Sequence, residues 1–402
     1  MNILFISLLD FYSIEERGIY TDVLRKLREK NNYIYAISPV EKRNGGKTNI
    51  IEEPNCKILK LRIGNIQKTN IIEKGISTLT IEYQLVKAIK EYYSDIKFDL
   101  VLYPTPPITI CGAVEYIKKR DNARTYLMLK DIFPQNTVDL GMLKKSGIKG
   151  LIYKYFRTKE KKLYGISDII GCMSEANRKY ILTHNPNLST KMIEVFPNCI
   201  EILDKSVSNY DRVSIRRKYG IPIDKTVFVY GGNLGRPQCV SFIIECLKSQ
   251  NLNSKAFFLV IGDGTDYHLL DEYIQEANPT NIKLMKRLPK QDYDAMVGAC
   301  DVGLIFLDYR FTIPNFPSRL LSYMQAKIPV LAVTDINTDV GHIIEENSFG
   351  WWSPSNDSNA FAEKINAILA ADINEWGENS FVALKKLYDV NKWVEVLVRG
   401  IS

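Results

Sequence analysis

Two arginines sit in segments suited to holding an anion. Arg319 follows Pro317 and Ser318 in Phe316-Pro-Ser-Arg-Leu-Leu321, ahead of an apolar helical pattern and the short strand Pro329 to Val333. Proline is pre-shaped for a helix start, and the free backbone N–H groups there attract negative charge. An arginine at the same place adds a fork suited to phosphate. Arg236 closes the turn Gly231-Gly-Asn-Leu-Gly-Arg236, which links an apolar strand to the next helix. Gly232 and Gly235, with Asn233 between them, let the backbone approach a diphosphate whose charge Arg236 would oppose. Two strand-to-helix phosphate sites in one half of a chain predict a nucleoside diphosphate ligand. The plainer alternatives are a tight turn at 231–236 and a solvated Arg319 with Ser318 as helix cap.

The other half offers carboxylates. Asp131 closes an apolar strand, where it can orient or deprotonate a hydroxyl, or simply cap the turn that follows. Ser174-Glu175 opens a helix, so Glu175 is either a cleft residue or a first-turn acid complementing the dipole. Glu15, Glu16 and Arg17 lie in the loop after the first strand, and Gly18 is expected to open a helix close to a bound phosphate.

The stretch Lys144 to Lys162 carries eight basic residues against one acid, interleaved with Ile148, Leu151, Ile152, Tyr153, Tyr155 and Phe156. Such a segment suits an anionic bilayer, or else a core-facing helix with a solvated basic face. No nucleic-acid-binding motif accompanies the charge.

These residues need elements to place them. The chain has 402 residues, 46% apolar and 25% charged, with a net charge of +7. That length suits two globular domains of roughly 200 residues each. Apolar strands alternate with amphipathic helices throughout, which predicts two doubly wound parallel sheets in tandem, facing a central cleft. The polar stretch from Asn198 to Asn209 divides them: residues 1–200, completed by a C-terminal helix over 384–402, and residues 201–383. The loop Asn44 to Ile72 carries no readable code. Seven cysteines lack paired spacing and three histidines are scattered, so free thiols are expected and a metal site is not. The apolar start, Asn2 to Leu9, is only a strand's length, and no run reaches the roughly 18 to 20 residues of a membrane span, so a cytoplasmic location is expected.

In order and spacing, Thr105-Pro-Pro-Ile108, Lys130-Asp-Ile-Phe-Pro-Gln135, Met173-Ser-Glu175, Phe196-Pro-Asn198, Tyr230-Gly-Gly-Asn-Leu-Gly235, Ile261-Gly-Asp-Gly264, Ala299-Cys-Asp301 and Phe316-Pro-Ser-Arg-Leu-Leu321 resemble a glycosyltransferase of the GT-B fold. More narrowly, the chain looks like the retaining group called family 4, near the bacterial capsule and exopolysaccharide enzymes. The resemblance implies a hexosyl- or N-acetylhexosaminyl-transferase. It would use a nucleotide sugar such as a UDP-sugar without a metal, with the donor on the C-terminal domain and the acceptor on the N-terminal one. The acceptor would be a glycan or a polyprenyl-diphosphate-linked sugar, and the enzyme would sit peripherally on the inner face of the membrane. It implies that Arg287 borders the base and the diphosphate; a surface basic pair is the alternative. Two departures stand out. Asn233 and Gln238 occupy places where the family has Arg and Lys. The family's two glutamates fall on Pro314 and Ser322, of which only Ser322 can still bond a ribose hydroxyl. A non-catalytic nucleotide-sugar-binding partner of the same fold is therefore a second reading.

Overall fold

A computed structural model describes residues 1–66 and 71–401. It divides into two compact units, Met1–Glu201 with Val390–Ser402, and Ile202–Asp389.

The first unit is built on an eight-stranded sheet of order β3-β4-β2-β1-β5-β6-β7-β8. Its strands are β1 (Asn2–Ile6), β2 (Tyr33–Glu41), β3 (Asn49–Glu53), β4 (Cys56–Ile63), β5 (Leu100–Thr105), β6 (Arg124–Leu129), β7 (Ile169–Cys172) and β8 (Ile193–Val195). All pairings are parallel except β3 with β4. That edge hairpin lies inside the stretch expected to be an unreadable loop, whose residues 67–70 are outside the described ones. The hairpin turns at Pro54-Asn55, with Asn55 at φ 52°. Its helices are α1 (Thr21–Glu29), α2 (Ile71–Tyr92), α3 (Cys111–Asp121), α4 (Gln135–Asp139), α5 (Gly147–Ile166) and α6 (Glu175–His184).

The second unit carries a six-stranded, wholly parallel sheet of order β11-β10-β9-β12-β13-β14. The strands are β9 (Thr226–Asn233), β10 (Ala256–Asp263), β11 (Ile282–Lys286), β12 (Val302–Phe306), β13 (Val330–Thr334) and β14 (Gly350–Pro354). Between and after them run α7 (Asn209–Lys218), α8 (Val240–Lys248), α9 (Tyr267–Ala277), α10 (Lys290–Gly298), α11 (Arg319–Gln325), α12 (Val340–Glu346), α13 (Ser358–Ala370) and α14 (Ile373–Tyr388). Counted within the unit the order is 3-2-1-4-5-6, the doubly wound pattern, and it reverses between β9 and β12. Ligands bind such sheets outside the strand carboxyl ends at that reversal.

Residues 302–306 and 330–334 are buried throughout, as strands covered on both faces require. Phe228 stacks on Phe258 at 5.2 Å, and Phe361 of α13 leans on both Phe258 and Phe306. Burying each such ring is worth roughly 1.5–3 kcal/mol.

The C-terminal helix begins later than expected. Leu384 and Tyr388 belong to α14, with Tyr388 tilted on Phe316 at 6.1 Å, and a separate α15 (Val390–Ile401) follows. Val390, Val394 and Leu397 of α15 are buried with Leu24, Leu27 and Phe196 in the core of the first unit. Asp389 has extended backbone (φ −67°, ψ 121°), which breaks the run in two.

Candidate functional site

The carboxyl edge of β9 is made of backbone and tyrosines. Gly232 holds φ 137°, a conformation that a side chain resists, and a β-carbon there would come within 3.1 Å of the Arg319 guanidinium. The glycine turn and Pro-Ser-Arg, read as two separate anion sites, thus meet at one point. Gly264 is needed for a different reason: a β-carbon there would strike the backbone of Leu234, so the two edge turns pack closely. The Leu234 amide donates to the Asp263 carbonyl at 3.0 Å, and the Asp266 amide to the Leu234 carbonyl at 3.0 Å.

Arg319 opens α11, and its guanidinium lies 4.4 Å over the ring of Tyr230. Its Nη1 is buried and has no hydrogen-bond partner. Arg319 as a whole is half-buried and backed by tyrosine, but a buried cationic donor left without a partner is costly, and an anion at that point would meet it. Tyrosines hold the geometry. The Tyr230 hydroxyl donates to the Asn233 carbonyl at 2.5 Å. Tyr323, one turn after Arg319, receives the Gly231 amide at 3.2 Å and donates to the Leu304 carbonyl at 3.0 Å, so it ties β9 to β12 across the reversal. Tyr293 of α10 lies against Gly231, where any β-carbon would strike its ring. None of the three tyrosines was expected at the site. Tyr323 carried a readable signal, the four-residue spacing from Arg319, whereas Tyr293 carried none.

Around this point the remaining expected residues are spread. Asn233 and Gln238, which replace the family's basic residues, bond each other: Asn233 Nδ2 donates to Gln238 Oε1 at 2.8 Å. Arg236 stands exposed on a short 3-10 turn, Arg236–Gln238, with Gly235 buried just before it. Arg287 is exposed in the loop after β11. Ser318 makes no side-chain cap to α11, which removes its structural alternative; Pro317 before it is half-buried. Ser322 is half-buried one turn later, and Pro314 is buried. A carboxylate not anticipated, Asp308, is fully buried at the end of β12 and takes Arg310 through Nε at 2.9 Å and Nη2 at 2.6 Å. Its amide donates to the Pro237 carbonyl, which anchors this loop to the glycine turn. Asp301 of the Ala-Cys-Asp motif is architectural. It is buried, pairs with Arg216 at 2.6 Å and with Arg212, and accepts the Val227 amide at 2.7 Å, at the opposite end of β9.

In the first unit Asp131 lies just past β6. Its Oδ2 accepts Asn136 Nδ2 at 2.8 Å, and Thr105 Oγ1 donates to its carbonyl at 3.2 Å. Its Oδ1 is buried without a partner. Burial raises the carboxyl pKa to about 6. Its neighbour Lys130 was not singled out as a site residue. Lys130 Nζ donates to the Phe196 and Pro197 carbonyls at 3.2 and 3.1 Å, and burial lowers its pKa to about 8. A carboxyl shifted up and an amine shifted down on consecutive residues mark a candidate functional edge.

Three expected residues are spent on local structure here. Glu16 Oε1 accepts the amides of Tyr12 at 2.7 Å and Ser13 at 3.2 Å, so it caps its own loop. Gly18 does not open the helix, which starts at Thr21, and its amide donates to Asp22 Oδ1 at 3.2 Å. Glu175 is exposed at the start of α6 and pairs with Arg178 at 3.4 Å, as a first-turn acid does.

Residues 211–380 match the family of glycosyl transferases group 1. That match spans most of the second unit, Ile202–Asp389. The chain is 25% identical over 364 residues to the Pseudomonas aeruginosa protein WbjE, named as a glycosyltransferase, covering 90% of this chain and 87% of that one. It is 22% identical over 254 residues to WcaI of Escherichia coli strain K12, whose name assigns it to colanic acid biosynthesis, covering 62% and 60%. Among solved structures, sucrose-phosphate synthase from Thermosynechococcus elongatus superposes with a TM-score of 0.75 at 15% identity, covering 99% and 98% of the two chains. HepE from Anabaena, solved with UDP, gives 0.70 at 13% identity over 99% of each. These likenesses establish the GT-B fold along the whole chain. Among the described residues no group of three or more His, Cys, Asp or Glu could hold a metal ion, and no helix is long and apolar enough to cross a membrane.

Proposed function

We propose that this glycosyltransferase moves a hexosyl or N-acetylhexosaminyl group from a UDP-sugar, with retention, to a glycan or polyprenyl-diphosphate-linked acceptor during synthesis of a bacterial surface polysaccharide. The observation that carries the reading is Arg319. A tyrosine-backed guanidinium with one buried, unpartnered nitrogen stands over Gly232 at the sheet reversal. Such a group suits a diphosphate whose charge grows as the bond to the sugar breaks, and preorganised donors there are the largest lever on this chemistry. Arg236, Arg287 and the backbone at Gly232 to Gly235 add to the phosphate surroundings, and Ser318 and Ser322 offer hydroxyls to the donor. With Arg319 supplying the charge, transfer is expected to proceed without a divalent ion. The acceptor oxygen forms the new bond to the anomeric carbon, the bond to the diphosphate breaks, and the acceptor proton passes to the departing phosphate oxygen. Asp131 orients that hydroxyl. The likeness to HepE bound to UDP supports the base, and the relation to WcaI supports the pathway class. A polyprenyl-linked acceptor requires the chain to work at the cytoplasmic face of a membrane.

The second reading, a nucleotide-sugar-binding partner without turnover, rests on Pro314 and Ser322 standing where the resemblance places glutamates. Calorimetry with UDP and a UDP-release assay over several UDP-sugars separate the two. The wild-type protein should bind UDP and release it from one donor, and Arg319→Ala should weaken UDP binding by about a hundredfold, as loss of a charge-assisted, two-pronged contact implies. Binding without release for any donor and acceptor favours the partner. Unchanged affinity in Arg319→Ala removes the phosphate site.

A further inference from the structure

The basic stretch 144–162 is not uniform once folded. In its second half three of the four cations are committed to the protein: Arg157 pairs with Glu160 at 2.5 Å, Lys159 with Glu82 at 2.8 Å, and Lys162 with Glu115 at 2.6 Å, while Lys161 is exposed. Phe156 turns inward onto Phe133 at 5.0 Å. The first half is different. Lys144, Lys145, Lys149 and Lys154 are exposed and make no ion pair among the described residues, and no acidic residue occurs between Leu140 and Lys159. Between those lysines Ile148, Leu151, Ile152 and Tyr155 are 83%, 66%, 44% and 41% exposed. Their spacing of three, four and seven residues puts all four on one side of α5. Met142, just ahead of the helix, is 46% exposed as well. An apolar stripe with unpaired lysines on its flanks has the make-up of an interfacial helix rather than of a core helix with a wet back.

We infer that the first two turns of α5 seat on an anionic lipid surface, with Ile148, Leu151, Ile152 and Tyr155 entering the headgroup boundary and Lys144, Lys145, Lys149 and Lys154 meeting lipid phosphates. The occupant is a bilayer because the free charge all has one sign and surrounds the apolar groups. The inference rests on the proposed transfer reaction only in the lipid-borne acceptor that such a seat would serve; seating itself needs neither donor nor acceptor.

Sedimentation of the full chain with vesicles tests it. Vesicles containing one quarter phosphatidylglycerol should bind the protein, pure phosphatidylcholine should not, and 0.5 M salt should release it. The variant Ile148→Asp/Leu151→Asp should lose at least nine-tenths of the binding. Each of Lys144→Gln and Lys149→Gln should weaken it about fivefold. Lys159→Gln/Lys162→Gln, which removes only committed cations, should leave vesicle binding within twofold while lowering thermal stability. UDP affinity, measured on every variant, should not move, which confirms folding and keeps this result separate from the donor site. Equal binding to neutral vesicles, or full binding by Ile148→Asp/Leu151→Asp, overturns the inference. So does a concentration-dependent dimer abolished by that variant, because the stripe would then belong to a second copy of the chain.

Discussion

Arg319 and Asp131 both stand at the carboxyl edge of a parallel sheet, and each keeps one buried atom without a partner. Their surroundings answer that burial differently. Arginine cannot shed its proton, so the β9 edge accommodates a permanent charge by stacking it on Tyr230 and clearing space at Gly232. The β6 edge holds groups that can be neutralised, and burial moves both toward neutrality, Asp131 upward and Lys130 downward. The first arrangement suits stabilising charge that appears on a leaving group. The second suits holding a hydroxyl and its proton near neutral pH.

The sharpest way to break this contrast is Asp131→Asn. The amide keeps the shape and loses the charge, so kcat should fall by about 100-fold, in the lower range for a positioned acid or base, while UDP affinity stays put. Stability should move the other way. A carboxyl raised from 3.8 to about 6 costs the fold most above pH 6 and nothing below about pH 4. Wild-type stability relative to the variant should therefore drop between pH 4 and 6, by at most about 3 kcal/mol. Wild-type activity should rise through about pH 6 over the same interval, and the variant's profile should be flat there. An active Asp131→Asn protein that is also less stable would show that Asp131 is only a turn cap.

Gly232→Ala probes the other edge with a smaller expected effect. A β-carbon at φ 137°, 3.1 Å from the guanidinium, strains the backbone and pushes Arg319 off Tyr230. We expect a loss of about 1–3 kcal/mol in stability and about a tenfold weaker UDP affinity, read by thermal unfolding and calorimetry. If UDP binds as before, the closeness of Gly232 and Arg319 has no bearing on the donor.

Arg319 and the glycine turn were legible because their signals are local: Pro-Ser-Arg before a helical pattern, and glycines after an apolar strand. Most of the strands were legible too, since parallel buried strands read as unbroken apolar runs, as Ile3 to Ile6 and Val330 to Val333 do. The β3–β4 hairpin was passed over because charged residues interrupt its apolar runs, Glu52 and Glu53 in β3 and Lys57, Lys60 and Arg62 in β4, even though most of β4 is buried. What brings Tyr323 to the Gly231 amide is a contact 92 residues apart in sequence, set by the order of the strands and not by any neighbouring residue. The committed cations of α5 were hidden for the same reason. Lys159 and Lys162 look as free in the sequence as Lys149 does, and only packing against α2 and α3 supplies Glu82 and Glu115.

The smallest expected effect concerns Lys130. Its ammonium donates to the Phe196 and Pro197 carbonyls and lies 5.2 Å over the Phe196 ring, and burial lowers its pKa from 10.5 to about 8. A base with a depressed pKa burdens the fold while both states are charged, so the full cost applies below pH 8. It fades as the pH climbs toward 10.5, where the unfolded chain also loses its proton. Lys130→Met removes the charge and the two hydrogen bonds, a loss that does not depend on pH. The stability of wild type minus that of Lys130→Met should accordingly increase by about 2–2.5 kcal/mol between pH 7.5 and 10, measured by urea unfolding at each pH. Parallel curves would mean that Lys130 titrates like an exposed lysine. The β6 edge would then hold a permanent cation, as the β9 edge does, and the contrast between the two would reduce to Asp131 alone.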